Sequence, residues 1–258
     1  MNIDWNGIFD LPPAAFAGDR RIPKTVVVRR AGLSKREQKT LDKVKLLAHF
    51  ATVQKTTTHI LPYQDEEHDI ESIVFLRCGM SGMNAAFAEV AGLLHRCFPN
   101  STILLMEGFA GVCISAAITR KSLAEKGAMV VEEQRSTGVL DPGEQKTRDM
   151  LEGLAFGKLP QEDLLEYLRE LIWRIRLIRA SEMLGFYPEC AARDKGNLLQ
   201  MLGESERLGR EVSDLMQMRR NKDLSLNEQM KLRIRLKNVE GQRDRVVAKI
   251  KELRGGRD

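Results

Sequence analysis

The most regular pattern of apolar positions lies in the last quarter of the chain, from Asn197 onward. Apolar residues recur there at alternating steps of three and four, the pattern of helices that bury a narrow stripe against each other. Ser225 and Glu228 have the spacing of a capping box, which predicts that the second helix begins near Leu226 after a short turn. The pattern therefore predicts an antiparallel helical hairpin, a coiled coil, over residues 197–254.

Shorter apolar runs, separated by turn residues, precede this hairpin. Continuous or β-branched runs predict strands, whereas helical spacing and a capping box at Ser34 and Glu37 predict helices. The predicted strands are Thr56–Leu61, Ile70–Cys78, Thr102–Met106, Ala110–Thr119 and Ala128–Glu133, the predicted helices are 35–49 and Met83–Cys97, and the opening Ile8–Pro13 is predicted to be extended. Their order predicts an α+β domain over residues 1–140, with a mostly antiparallel sheet covered on one face by helices.

The segment between these two regions is predicted to be helical. Pro160 is typical of a first helical turn, and the acids that follow it suit the positive end of the helix dipole. Gly185–Gly196, which contains Pro188, is typical of a linker. Residues 141–196 are therefore predicted to form a helical linker region, and the region from 141 onward is all-α.

Composition argues against several classes of protein. Hydrophobic residues make up 43% and charged residues 30% of the chain, and no stretch approaches the roughly 20 apolar residues that a membrane span needs. The opening residues include acids and no early basic run, so a secretory signal peptide is not expected. The four cysteines lack the short paired spacings of disulfide or zinc frameworks, which favours reduced thiols in a cytoplasmic protein.

A basic stretch from Arg20 to Lys45 is the first candidate for a binding surface. It carries ten Lys or Arg residues against three acids in or beside it, within a chain of formal net charge +5. Clustered cations of this kind favour contact with the phosphates of a nucleic acid. The alternative is a solvated helix face with a basic connector, because no aromatic residues interleave the charges. The nucleic-acid-binding candidates are Arg20, Arg21, Lys24, Arg29, Arg30, Lys35 and Arg36.

Candidates for catalysis are few. Glu107 and Glu132 lie near the ends of predicted strands and Lys121 follows a strand, as in metal-dependent nucleases that hold a divalent ion against a phosphodiester. The usual acid–spacer–lysine doublet is missing, because Glu133 and Gln134 follow Glu132. Acids at strand ends are also common, so the alternative is an ordinary surface carboxylate.

No other segment carries a complete set of ligands or catalytic groups. His59 and His68 flank the acidic loop Asp65–Glu67, but loop acids beside a histidine are usually solvated. Gly79–Gly82 resembles a phosphate-binding turn before a helix, yet it lacks the P-loop lysine and the dinucleotide spacing. We therefore expect no resident metal and no cofactor.

The predicted hairpin is the candidate surface for another protein. Its apolar seam is thin, and a two-helix hairpin with so little core is commonly steadied by a further helix. A second copy of the chain or another subunit would serve, and pairing within one chain or between two chains is open. The alternatives are packing on the α+β domain and contact of Arg233, Arg235 and Lys237 with nucleic acid. The partner-binding candidates are Leu208, Val212, Leu215, Leu232, Leu236, Val239, Val246 and Ile250.

Six short motifs in the first half of the chain form a set. They are Phe9–Pro12, Ile22–Lys24, the run after Cys97–Pro99, Ile118–Glu125, Met129–Glu133 and Ser136–Leu140. Together they resemble a bacterial family catalogued as domain of unknown function 4391, in patches from about Asn6 to Asp149. Gly138 departs from the resemblance, because members tend to carry a bulky residue there. The resemblance implies no reaction and no catalytic residues. It implies a gene neighbourhood, because genes of such proteins tend to lie beside helicase and DNA-methyltransferase genes in restriction-like or anti-phage islands.

These observations favour a non-catalytic subunit of a bacterial anti-phage or restriction-like defence complex, with roles in assembly and DNA contact. Its expected partners are helicase- or methyltransferase-like subunits and DNA, and no membrane. Two alternatives stay open. One is a divergent metal-dependent nuclease that uses Glu107, Glu132 and Lys121, and the other is a sequence-independent nucleic-acid-binding protein.

Overall fold

The computed structural model describes residues 3–82, 86–125, 127–220 and 224–255 of the 258-residue chain. Its contacts divide the chain into two compact units, Met1–Arg179 and Ala180–Asp258. The finer division into 1–140, 141–196 and 197–254 stays a prediction. The predicted helix start at Met83 and the predicted turn over residues 221–223 lie outside the described residues.

The first unit combines strands and helices. Its strands are β1 (Phe16–Arg21), β2 (Val44–Gln54), β3 (Tyr63–Gln64), β4 (Asp69–Ile70), β5 (Ser72–Met80), β6 (Ser101–Gly108), β7 (Gly111–Lys121) and β8 (Met129–Ser136). The helices of the chain are α1 (Trp5–Phe9), α2 (Lys24–Ala31), α3 (Lys35–Leu41), α4 (Lys55–Thr58), α5 (Phe87–Cys97), α6 (Gln145–Leu151), α7 (Leu164–Leu184), α8 (Lys195–Arg219) and α9 (Leu226–Gly255). Helix α7 crosses the division between the two units.

Six strands form one sheet in the order β1-β2-β5-β6-β7-β8, and β3 pairs with β4 in a separate two-stranded ribbon. Strands β5 and β6 are parallel, whereas the other neighbours in the sheet are antiparallel. Two parallel strands need a crossover that returns the chain to the end of the sheet at which the first strand began, and α5 lies in the crossover between β5 and β6. The expectation of a mostly antiparallel sheet with helices is therefore confirmed.

Helices lie on both faces of the sheet, which differs from the one-face arrangement that the sequence predicted. On one face, Val27 of α2, Leu41 of α3 and Leu94 of α5 share a buried cluster with Leu76 of β5. On the other face, the ring of Phe9 packs edge-on against Phe75, with ring centroids 5.3 Å apart. Successive residues of a strand point to opposite faces, so a strand that is buried on both faces is apolar at consecutive positions.

Two predicted elements are wrong. The helix predicted over residues 35–49 ends at Leu41, and the residues that follow form the long central strand β2. Its pairing with both β1 and β5 outweighs the helical spacing of its apolar residues. The strand predicted at Thr56–Leu61 is instead the helical turn α4, where the hydroxyl of Thr58 donates to the carbonyl of Gln54 at 3.0 Å. Such local side-chain bonds compete with strand pairing.

The opening of the chain also differs from prediction. Residues Ile8–Pro13 were expected to be extended, but Trp5–Phe9 forms the short helix α1. The carboxylate of Asp4 accepts a hydrogen bond from the backbone N–H of Gly7 at 3.1 Å, which caps the helix. Burial of Trp5 and Phe9 then holds the helix against the sheet.

The second unit contains the long C-terminal helix pair, α8 and α9. The predicted start at Leu226 and the predicted capping box are confirmed, because the Ser225 hydroxyl donates to Glu228 at 2.6 Å and the Glu228 N–H donates back at 3.4 Å. Arg235 of α9 forms an ion pair with Glu211 of α8 at 2.9 Å. The two helices therefore pack on each other within one chain.

Candidate nucleic-acid interface

The scaffold of the basic stretch consists of α2 and α3, which cover the same face of the sheet. Val27 and Leu41 anchor them in one buried cluster. Gly32, with φ of 60°, ends α2 in the left-handed conformation that glycine adopts most readily. The predicted capping box of α3 is confirmed, since Ser34 and Glu37 bond reciprocally. The outward positions of both helices are therefore held in place by a buried inner face.

The cations on this scaffold are exposed. Lys24 is half-buried and lies 3.6 Å from Asp42, and the others of the predicted set are exposed. Of these, Arg36 lies near Glu89 and helps to lower the pKa of that carboxyl, after the larger effects of hydrogen bonds from Lys43 and Thr40. The rest form no ion pair within the described part of the chain; they are Arg20, Arg21, Arg29, Arg30 and Lys35.

The acids near these cations are already paired, two of them with arginines outside the basic stretch. Asp19 accepts a hydrogen bond from Arg77 at 3.0 Å. Glu37 lies 3.3 Å from Arg96, and its pKa is lowered mainly by the Ser34 hydroxyl. Asp42 faces Lys24. Positive charge is therefore in excess over β1, α2 and α3.

Two further residues extend this surface. Lys39 follows Lys35 by four residues on α3, so both side chains lie on the same side of the helix. Lys45 is exposed at the start of β2. Both were part of the charge count from the sequence, and their exposure is what adds them to the candidate set. We call Arg20, Arg21, Arg29, Arg30, Lys35, Arg36, Lys39 and Lys45 the basic surface.

Glu107, a nuclease candidate, is part of a structural network. Its carboxylate accepts hydrogen bonds from Arg77 Nε at 2.7 Å and from Trp5 Nε1 at 2.6 Å. The side chains of Arg77 and Glu107 are only 23% and 19% exposed. The Glu107 bond is the largest cause of the raised pKa of Arg77. These contacts tie α1 to strands β5 and β6.

Glu132 and Lys121 lie at the other end of the sheet. Glu107 pairs in register with Val112 of β7, whereas Glu132 is at the bulge opposite Ile118. Six residues along a strand span about 20 Å, and ligands of one metal ion lie within a few Å of each other. The structure therefore does not bring the three candidates together. Among the described residues, no group of three or more His, Cys, Asp or Glu side chains is arranged so that it could hold a metal ion.

Glu132 and Lys121 instead join the β3–β4 ribbon to the sheet edge. Buried His68 bonds to Glu132 through Nε2 at 2.8 Å and to Asp65 through Nδ1 at 3.2 Å, while Lys121 Nζ donates to the carbonyl oxygen of Asp65 at 2.6 Å. Burial by itself lowers the pKa of His68, but the bonds to Glu132 and Asp65 outweigh it and raise the pKa. Sequence reasoning missed this role of His68, because its partner Glu132 is 64 residues away.

The predicted partner-binding residues are largely covered within the chain. Leu232 is half-buried, and the other seven are at most 7% exposed; they are Leu208, Val212, Leu215, Leu236, Val239, Val246 and Ile250. A protein that docked on this seam would therefore have to separate α8 from α9. Within the described residues, moreover, no helix combines the length and the apolar character needed to cross a membrane.

The sequence model of the family described as Domain of unknown function (DUF4391) matches residues 9–242. The chain belongs to the DUF4391 family. The match extends well beyond the patches between Asn6 and Asp149, so a DUF4391 sequence includes both the sheet and much of the C-terminal helix pair. The chain matched none of the curated proteins and none of the solved structures with which it was compared.

Proposed function

We propose that this DUF4391 protein is a non-catalytic subunit of a bacterial defence complex of the anti-phage or restriction-like type, and that its basic surface contacts DNA. The observation that carries the proposal is the excess of exposed cations on β1, α2 and α3, whose neighbouring acids are already paired. Phosphate contacts need accessible, uncompensated Lys and Arg side chains. The defence setting comes from the gene neighbourhood that the family resemblance implies.

The arrangement of cations favours phosphate contact over readout of bases. The described part of the basic surface holds no exposed aromatic side chain that could stack on an unpaired base. Helix α2 is only eight residues long and is anchored through Val27. Binding that is independent of sequence and strongly dependent on salt follows from such a surface.

Under the same proposal, α8 and α9 form an antiparallel coiled-coil hairpin through which the protein assembles with other subunits. Support comes from the ion pair between Glu211 and Arg235. Glu211 lies nearly as many residues before residue 221 as Arg235 lies after residue 223. Residues that face each other across an antiparallel hairpin have this symmetry about the turn. Because the seam is covered, docking of helicase- or methyltransferase-like subunits would use the outer faces of the two helices.

Reversal of charge at the basic surface tests the DNA contact. Arg29→Glu combined with Arg30→Glu is expected to weaken binding to a mixed-sequence duplex on the order of 10- to 100-fold at about 0.1 M salt, because two phosphate contacts are lost and repulsion replaces them. Fluorescence anisotropy with a labelled duplex measures the dissociation constant.

A control with the same total charge is available on the same unit. Lys146 and Lys158 are exposed and lie outside the basic surface. Their double replacement by Glu removes four charges, as the first variant does, and takes the formal net charge from +5 to +1. Equal loss of affinity in both variants would mean that net charge, and not the basic surface, attracts DNA.

A further inference from the structure

Helix α9 carries a second apolar stripe, distinct from its buried seam. Leu226, Met230 and Ile234 are 76%, 59% and 60% exposed, although they belong to a helix whose Leu236 and Val239 are buried. Residues four apart lie on one side of a helix, so these three form a continuous stripe. At 100° per residue, the stripe lies on the side of α9 opposite to the seam. Eight residues of helix extend about 12 Å.

The stripe is bordered by cations. Lys231, Arg233 and Lys237 are exposed and form no ion pair within the described part of the chain. Arg235 is also exposed and is already paired with Glu211. The nearest acid of α9, Glu228, is bonded to Ser225, and the bonds from Ser225 lower its pKa. The surface around the stripe is therefore apolar in the middle and positive at its borders.

We propose that this stripe docks an acidic amphipathic helix of a partner protein. Apolar residues at three- and four-residue spacing on that helix would cover Leu226, Met230 and Ile234, while flanking Asp and Glu side chains would face Lys231, Arg233 and Lys237. Helix-in-groove and helix-on-helix recognition combine buried apolar anchors with charges at the border in this way. The inference deepens the proposed subunit role, because it gives the chemistry of the partner.

Charge and chemistry disfavour the other occupants of the stripe. A second copy docked through the same stripe would place Lys231, Arg233 and Lys237 beside their own counterparts, and like charges at an interface are repulsive. Nucleic acid offers phosphates to the cations but no side chain that would cover three aliphatic residues, and the stripe has no aromatic ring for base stacking. A bilayer-surface helix needs a longer apolar face than three residues and a free polar face opposite to it. On α9 the opposite face is the buried seam.

Photo-crosslinking of the full-length chain in its native cells identifies the occupant. A photo-reactive amino acid replaces Met230, the cells are irradiated, and the crosslinked peptides are sequenced by mass spectrometry. The expected crosslink joins α9 to a different protein, in a segment with apolar residues at helical spacing and flanking Asp or Glu. The same amino acid at exposed Lys249 is the matched control, and it is expected to yield no crosslink to that segment.

A charge-reversal variant keeps the apolar stripe and changes only its border. Lys231→Glu, Arg233→Glu and Lys237→Glu together are expected to reduce the crosslink yield about tenfold or more, with the circular dichroism spectrum unchanged, since all three side chains are exposed. A crosslink to the same chain, to lipid, to nucleic acid or to a segment without acids would overturn the proposal, and so would the absence of any crosslink at residue 230. DNA binding by the basic surface is expected to persist in this variant, so failure here is distinguishable from failure of the DNA contact.

Discussion

Glu107→Ala is expected to lower the free energy of unfolding by about 3 to 5 kcal/mol, the range for loss of one member of a buried ion pair. The carboxylate accepts from Arg77 and from the indole N–H of Trp5, and its removal leaves both donors without this acceptor in a largely covered site. The loss also removes a hydrogen bond that ties α1 to the sheet, beside the packing of Phe9 on Phe75. Urea-induced unfolding, followed by circular dichroism, measures the change.

Glu133→Ala provides the comparison for this prediction. Glu133 forms an ion pair with Arg135 at 3.1 Å, but both side chains are about two-fifths exposed. Exposed ion pairs contribute about 0 to 1 kcal/mol, so this variant is expected to unfold almost as the unmodified protein does. If Glu107→Ala were equally mild, the network at Arg77 would not be structural, and a functional role for Glu107 would regain support.

His95→Gln is expected to destabilise the protein near neutral pH and to lose this disadvantage in acid. His95 is buried between α5 and the sheet, where Nδ1 bonds to the Thr102 hydroxyl and Nε2 bonds to the Ser115 hydroxyl at 2.9 Å. The Ser115 hydroxyl donates onward to the carbonyl oxygen of Arg135 at 3.2 Å. Because the Ser115 hydroxyl donates its hydrogen to Arg135, it accepts a hydrogen bond from Nε2–H, and Nδ1 then accepts one from the Thr102 hydroxyl. These roles require a neutral imidazole. Gln replaces the ring imperfectly, so a loss of about 1 to 2 kcal/mol is expected at neutral pH.

The acid dependence follows from the pKa of this histidine. Burial lowers the pKa of His95 to about 3, whereas an unfolded histidine titrates near 6.5. Between these values the unfolded state binds more protons than the folded state, so the contribution of His95 to stability is present above pH 6.5 and is lost as the pH falls toward 3. Between about pH 7 and about pH 4 the unmodified protein should lose about 3 kcal/mol more than the Gln variant.

Urea unfolding of both proteins at the two pH values checks this difference. The carboxyl groups are the same in both proteins, so the difference between the two unfolding free energies isolates the titration of His95. A constant gap between the two unfolding free energies would show that His95 does not titrate as a buried neutral group.

Local signals in the sequence predicted the elements whose partners are close in the chain. The hairpin of β6 and β7 joins adjacent strands, and the capping boxes at Ser34 and Ser225 span three residues each. The start of α9 at Leu226 follows from such a cap. These features need no knowledge of the rest of the fold, because the groups that form them lie within one turn or one hairpin.

The elements that prediction missed depend on distant partners. The apolar residues of β2 also fit a helical spacing, and only pairing with β1 and β5 selects the strand. In the same way, the count of cations predicted a basic stretch, but not which acids would be neutralised. Asp19 is engaged by Arg77, 58 residues away, and Glu37 by Arg96, 59 residues away. Glu107 was predicted as a catalytic candidate because its partners Trp5 and Arg77 are remote in sequence, so the sequence does not show that its carboxylate already accepts their hydrogen bonds.

The salt dependence of DNA binding by the unmodified full-length protein is the most direct test of the central proposal. Anisotropy titrations with a duplex of about 30 base pairs, at salt concentrations between about 0.05 and 0.2 M, give the slope of log K against log salt. Four to six phosphate contacts by the basic surface predict a slope of about −4 to −5, with little dependence on base sequence. A flat response, or no binding even at the lowest salt concentration, would contradict the assignment of the basic surface to DNA.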